Sequence, residues 1–185
     1  MLKHLAIWIV TLAPSALFAV GDSQYIYGTV GQTHHFMQKE RTSGGFGQAG
    51  WGFKVGNHRI GLTTISRRIR NFKPKDSLPD SYLIESESIG IEKEYEAGPV
   101  SLGLSFEGGR LFTTQDEKID RDTYRALQLN VGICFFANGY LRLYSKWGIF
   151  ALRADPAWRD RMEHNDIEGG FFSFGIDINE PQKDF

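Results

Sequence analysis

Hydrophobic and polar residues alternate along most of the chain, most clearly between Val100 and Glu107. Valine, leucine and phenylalanine hold every second position there, and serine, glycine and glutamate hold the positions between them. A period of two is typical of a β-strand whose two faces meet different surroundings. Either the apolar face fills the core of a soluble barrel or sandwich, or it meets lipid while the polar face lines the interior of a membrane barrel.

The same alternation recurs along the chain and predicts eight strands. We place them at 23–37, 46–55, 58–69 and 82–95, from 100 up to a charged loop, and around 127–135, 141–149 and 171–178. The connections are long and short in turn: 38–44, 56–57, 70–81, 96–99, 113–122, 137–139 and 153–166. Long loops at one end of a meander and tight turns at the other are typical of outer-membrane barrels, whose tight turns lie on the periplasmic side. The sequence therefore predicts an all-β fold, an eight-stranded antiparallel up-and-down transmembrane β-barrel with four long surface loops.

The N-terminus has the layout of a secretory signal peptide. Lys3 and His4 precede an apolar run, and Ala19 offers a small residue for cleavage. We predict a signal peptide at residues 1–19 and a barrel domain at 20–185, with cleavage after Gly21 as the alternative.

Composition narrows the classes of protein further. The 185 residues suit one domain, and 21 basic against 22 acidic side chains leave no field that argues for a nucleic-acid partner. A hydrophobic content of 41% is that of a soluble protein, but in a β-barrel only alternate strand residues meet lipid. The single cysteine, Cys134, excludes an internal disulfide and is predicted to be a small buried residue of the interior face.

If the apolar faces meet lipid, the opposite faces line the barrel interior. The charged residues predicted there are Lys54, Arg59, Arg67, Glu92, Glu94, Glu107, Arg142, Lys146 and Asp177. Isolated charges in a narrow interior are costly, so acids and bases should pair across the lumen. Eight strands leave room only for side chains, which predicts a closed, salt-bridged interior rather than a wide pore.

A soluble lipocalin-like barrel is the architectural alternative, with the apolar faces inside and a ligand site in the interior. It would turn the interior charges outward beside glycines. Aromatic residues near strand ends instead suit the girdles of a membrane barrel. We place one girdle towards the tight turns (Tyr25, Tyr27, Phe53, Tyr95, Phe135, Phe136 and Tyr140) and one towards the loops (Phe46, Phe106, Phe112, Trp147 and Phe150).

With this architecture, residues 22–185 resemble the small outer-membrane β-barrel family of Gram-negative bacteria, which includes the OmpA transmembrane domain, OmpX and Ail-like proteins. The resemblance rests on architecture rather than on a sharp motif. It implies a monomer in the cell outer membrane with a structural, adhesion-like or porin-like role. It also implies lipid, lipopolysaccharide, the barrel-assembly machinery and a host or cell-surface ligand as partners. The terminal Phe185 matches the assembly signal of that family, although Pro181 and its polar neighbours separate it from the alternating pattern.

Some eight-stranded barrels of this kind are enzymes acting on lipid A, which need a histidine beside a serine or an acid near the outer leaflet. His34 and His35 are predicted at the loop end of the first strand, and His164 in the last loop. No His-x-Ser motif accompanies them, and no histidine or cysteine cluster has the spacing of a metal site. We therefore predict no enzymatic activity, cofactor or metal. Two functional alternatives remain: lipid A modification, and passage of small hydrophobic ligands through a lateral opening.

Two of the predicted loops carry candidate contact residues. The second is locally basic and could bind lipopolysaccharide phosphates or an anionic host surface. The fourth places a tryptophan among charges, where it would contact a partner or cap the barrel mouth. The candidates are Arg68, Arg70, Lys73, Lys75, Trp158, Arg159 and Arg161.

Overall fold

The computed structural model describes residues 23–35, 43–72, 82–115, 118–138, 140–158 and 166–180. Eight antiparallel strands form one closed barrel, in which each strand pairs with its sequence neighbours and the first pairs with the last. They are β1 (Ser23–His35), β2 (Ser43–Val55), β3 (His58–Phe72), β4 (Tyr82–Ala97), β5 (Val100–Gln115), β6 (Lys118–Ala137), β7 (Leu141–Ala154) and β8 (Asp166–Asn179). The predicted fold class is confirmed. The predicted signal peptide lies outside the described residues, among which no helix is long and apolar enough to cross a membrane.

Tight turns join the strands at one end of the barrel. Gly56 and Gly98 open the first two turns with φ angles of 57° and 62°, a left-handed conformation that glycine adopts without the steric cost of a Cβ atom. In the third turn the Asn138 side chain accepts hydrogen bonds from the backbone N–H groups of Tyr140 and Leu141, at 2.9 and 2.7 Å. We call this end the turn end and the opposite one the loop end.

The outer face of the barrel carries a broad apolar band. Large hydrophobic side chains on every strand are exposed there, with fractions that reach 71% at Val30. On β6, for example, Leu127, Leu129, Val131 and Ile133 point outward in succession. Such an area greatly exceeds what a soluble monomer exposes. Lys93 interrupts the band near the turn end, where a lysine stem can reach the interface.

The third long connection is the main error of the sequence prediction. Residues 113–122, predicted as a loop, lie almost entirely in β5 and β6, and only residues 116–117 separate the two strands. The hairpin continues beyond the apolar band. Apart from Phe112, its outward residues of known exposure there are polar or glycine, so the hydrophobic alternation that signals a strand fades. Three of the predicted long connections remain long, and β3 extends through Phe72 into the predicted second loop.

The barrel interior is divided into layers. Charged and polar side chains fill the half towards the turn end, and a cluster of buried hydrophobic residues fills the half towards the loop end. This second layer, which we call the loop-side plug, consists of Phe46, Ile65, Ile69, Ile84, Leu111, Tyr124, Ala126, Phe150, Leu152, Ala154, Trp158, Ile167 and Phe171. Phe46 and Phe150 were predicted in the outer girdle, and Tyr25 and Tyr27 likewise. All four are buried inside the barrel. Successive residues of a strand point to opposite faces, so a residue's place in this alternation decides its face, and its distance from the strand end does not.

Candidate functional site

The interior charges of the turn-end half form one connected group, which we call the turn-side cluster. Four bases and four acids of the described strands belong to it: Lys54, Arg59, Arg142, Lys146, Glu92, Glu94, Glu96 and Asp177. They come from β2, β3, β4, β7 and β8, so the ion pairs bridge walls that are far apart in the sequence.

Two arginines form the part of this cluster nearest the turns. Arg59 and Arg142 both contact Asp177, and both also contact Glu96. The Arg59 guanidinium lies 3.7 Å from the centre of the Tyr25 ring, a cation–π contact that further compensates its burial. Lys54 closes the cluster at the mouth, with its Nζ atom 2.7 Å from the Glu96 carboxylate.

Lys146 occupies the deeper part of the cluster. Its Nζ atom lies 2.9 Å from Glu92 and 2.7 Å from Glu94, and its side chain is almost completely buried. Tyr27 donates a hydrogen bond to Glu92, and Gln48 donates a second one at 2.9 Å. These donors satisfy carboxylate oxygens that the lysine alone would leave unpaired, as buried charges require.

A separate ion pair lies between the turn-side cluster and the plug. Arg67 and Glu107 form a two-pronged contact in which Arg67 Nη1 is 3.0 Å from Glu107 Oε2. Gln128 accepts a further hydrogen bond from Arg67 at 2.8 Å, and Ser88 donates one to Glu107. The Arg67 guanidinium also lies 4.8 Å from the centre of the Phe150 ring, at the boundary of the loop-side plug.

Trp158 is the centre of the loop-side plug. A short helical turn at 156–158 follows β7 and carries the indole into the barrel, where the residue is completely buried. Its Nε1 atom donates a hydrogen bond to Thr113 at 3.2 Å, so the polar atom of the ring is satisfied as well. This burial argues against Trp158 as a surface contact residue and fits the other predicted role, a cap over the barrel mouth. A tryptophan flanked by charges in the sequence can still find an apolar site when the barrel mouth supplies one.

Two of the other predicted contact residues lie in the described part of the chain. Arg68 and Arg70 lie on β3 with exposed side chains and not in a loop, and Arg68 forms an ion pair with Glu85. Lys73, Lys75, Arg159 and Arg161 lie outside the described residues. No basic surface cluster is therefore assembled around β3 by the residues that the structure describes.

The predicted interior residues occupy one connected space. Arg59, Arg67, Glu92, Glu94, Glu107, Arg142, Lys146 and Asp177 are buried, and Lys54 is partly exposed at the mouth. The sequence prediction missed Glu96, which it placed in a turn. That residue shares its parity with Glu92 and Glu94, a signal that was available from the sequence.

At the turn end the lumen opens into a cavity of about 740 Å³ whose wall includes Arg59, Arg142 and Glu96. Cys134 lines this cavity half-buried, beside an irregularity in the β6–β7 pairing, and not as the fully buried residue that was predicted. The cavity ends at the turn-side cluster. Within the described strands, no group of three or more histidine, cysteine or acidic side chains could hold a metal ion.

The comparisons with known proteins find similar structures. No family model matches the chain, and no curated protein matches its sequence. Neisserial surface protein A superposes with a TM-score of 0.57 at 12% identity, covering 84% of this chain and 96% of that one. Ail, the attachment invasion locus protein of Yersinia pestis, gives 0.51 at 12% identity, covering 87% and 100%. The N-terminal β-barrel domain of Pseudomonas aeruginosa OprF gives 0.50 at 9%, with the same coverages.

This chain has the fold of the eight-stranded outer-membrane β-barrels. The resemblance expected from the sequence is thus confirmed as a likeness of fold, and identities of 9–12% carry it no further.

Proposed function

We propose that this protein is a monomeric integral barrel of the outer membrane of a Gram-negative bacterium, closed to solutes, with a structural or surface-interaction role. The observation that carries the proposal is the reversal of the usual arrangement. Exposed apolar side chains cover the outside, and buried ion pairs lie inside, mainly in the turn-end half. Only a lipid surrounding makes the outer face favourable.

The closed interior has two independent barriers. The turn-side cluster pairs its four bases with four acids, so no net charge is left to attract an ion. Beyond it, the loop-side plug packs hydrophobic side chains around Trp158. The same filling disfavours the lipocalin-like alternative, because an apolar ligand would have to displace paired charges.

We also infer that the chain is not an enzyme. His34 is exposed on the outer face of β1, in register with Gly170 of β8, and His58 is exposed at a tight turn beside Tyr95. His164 and the side chain of His35 lie outside the described residues. Mass spectrometry of lipid A from cells with and without the gene tests this inference. An unchanged set of lipid A species is expected, and a modification that disappears with His34→Ala would contradict it.

The interaction role falls to the loop end, with lipopolysaccharide and a host or cell-surface ligand as candidate partners. The barrel-assembly machinery would insert the chain. The long β5–β6 hairpin extends past the apolar band and is the described element best placed to contact a partner.

Two measurements test the central proposal. Outer-membrane fractions washed with chaotrope should retain the protein, and its unheated form should migrate differently from its heated form on a gel. The purified barrel in a planar bilayer should give no stable single-channel conductance. Release by the wash without a heat shift would contradict the membrane assignment, and steady conductance would contradict the closed interior.

A further inference from the structure

Outward-facing arginines gather on β5, β6 and β7 immediately above the apolar band. We call this group the arginine patch: Arg110, Arg121, Arg125 and Arg153, all exposed. On β6 the band ends at Leu127, and Arg125 is the next outward residue. Two residues along a tilted strand rise by about 5 Å, so the guanidinium groups of Arg125 and of Arg153 opposite it reach the level of lipid headgroups and not that of acyl chains. Arg121 lies four residues further from the band on the same strand.

The register brings these positive charges together. Arg125 lies directly opposite Arg153 in the β6–β7 pairing. Arg110 lies opposite Thr123, which places it diagonally between Arg121 and Arg125. Like charges directly opposite each other on one face of a sheet destabilise it, unless an anion lies between them.

The acidic side chains of the protein neutralise these arginines only weakly. Arg153 approaches Asp166 only to 3.9 Å, with both side chains more than half exposed, so water screens the pair. Within the described part of the chain, Arg110 and Arg125 form no ion pair, although Glu87 lies opposite Arg110. Arg121 is positioned by Phe112, whose ring centre is 6.0 Å from its guanidinium carbon. By contrast, Arg68 on β3 is paired with Glu85.

We propose that the arginine patch binds the phosphate groups of lipopolysaccharide in the outer leaflet. Guanidinium groups match phosphate oxygens with two parallel hydrogen bonds, and a phosphate between Arg125 and Arg153 would relieve their repulsion. The patch faces sideways, directly above the lipid-facing band, so its ligand is a lipid headgroup beside the barrel. The proposal rests on the outer-membrane location proposed above.

The test measures lipopolysaccharide bound to the purified, detergent-folded barrel, for wild type and for the double variant Arg110→Gln/Arg125→Gln. We expect at least a tenfold weaker affinity in the variant and a smaller dependence of binding on salt concentration. Arg68→Gln/Arg70→Gln removes the same charge from β3 and is the matched control, expected to bind within twofold of wild type. Lipopolysaccharide stripped of its phosphates should bind wild type as weakly as intact lipopolysaccharide binds the variant.

Equal affinities of the wild type and the Arg110/Arg125 variant would overturn the proposal, as would an equal loss in the control. If millimolar inorganic phosphate displaced all of the bound lipopolysaccharide, the patch would be a site for free phosphate, and this result would overturn the proposal too. All variants are first checked for the heat-dependent gel shift. Wild type without that shift would contradict the proposed membrane location itself, whereas a shift without a binding difference contradicts the arginine patch alone.

Discussion

The contribution of the buried ion pair between Arg67 and Glu107 to the stability of the barrel can be tested with a single substitution. Glu107→Gln keeps the size of the side chain and removes its charge. The Arg67 side chain is 1% exposed and that of Glu107 is 0% exposed, so no water can replace the lost carboxylate. Arginine does not give up its proton, and the variant therefore buries an uncompensated cation.

Two estimates of the cost agree. Two unit charges about 4 Å apart interact by about 4 kcal/mol at an effective dielectric constant of about 20. Removal of one member of a buried pair typically costs about 3–5 kcal/mol. The folding equilibrium constant should therefore fall by about two to four powers of ten, since each 1.4 kcal/mol is a factor of ten.

The neighbouring position supplies a control. Arg68 follows Arg67 in the same strand, but its side chain is 51% exposed and its partner Glu85 is 35% exposed. Glu85→Gln should change the free energy of unfolding by no more than about 1 kcal/mol, because solvent screens that pair. The assay is urea unfolding in phospholipid vesicles, followed by tryptophan fluorescence and by migration of the unheated protein on a gel.

A second change separates the charge effect from a packing effect. Arg67→Met in the Glu107→Gln background removes the unpaired cation and should recover most of the lost stability. The reasoning is refuted if Glu107→Gln and Glu85→Gln cost the same, or if the double variant is no more stable than Glu107→Gln alone.

Three further predictions concern the outer face and the packing inside. Leu129→Arg, near the middle of the apolar band, should cost about 2–4 kcal/mol in vesicle unfolding, whereas Ser66→Arg, at an exposed position of β3 beyond the band and opposite Glu87, should cost no more than about 1 kcal/mol; equal costs would argue against a lipid-facing band. Brominated acyl chains should quench the fluorescence of Trp147, 44% exposed on the outer face, and leave that of buried Trp158 unchanged in single-tryptophan variants; the opposite pattern would reverse the assignment of the faces. Gly148→Ala should destabilise the barrel by about 1–3 kcal/mol, because an added Cβ would lie 2.4 Å from both the Phe171 ring and a backbone oxygen. An unchanged free energy of unfolding would show that the Phe171 ring does not pack tightly against residue 148.

The period of two predicted most of the fold because each side chain meets either lipid or the interior. Alternation along the strand alone assigned Arg142 to the interior face and Trp147 to the outer face. It assigned the faces in the same way in every part of the apolar band. The prediction failed in residues 113–122, where all residues but Ile119 are polar and too little contrast remains to mark a strand. It also failed at Phe46 and Phe150, which were assigned by their distance from the strand end.

The partners across the lumen could not be predicted from the sequence. Arg59 contacts Asp177 over a separation of 118 residues, and this proximity depends on the tilt and the stagger of all eight strands. A charge count indicated that acids and bases should pair, but several pairings satisfied it equally well. The plug was similarly hidden, because apolar residues in the interior positions looked like the lipid-facing residues of other strands.

The position of Asp177 has a consequence for the order of assembly. It lies on β8, the strand that closes the barrel by pairing with β1 from Tyr25 opposite Asn179 to His35 opposite Gly169. Until β8 is in place, four bases of the turn-side cluster face only three acids, and two strand edges lack hydrogen-bond partners. Pairing of β8 with β1 and neutralisation of the charge in the lumen therefore occur in the same step. An intermediate in which β8 is not yet paired with β1 carries both penalties at once, which makes closure of the barrel cooperative.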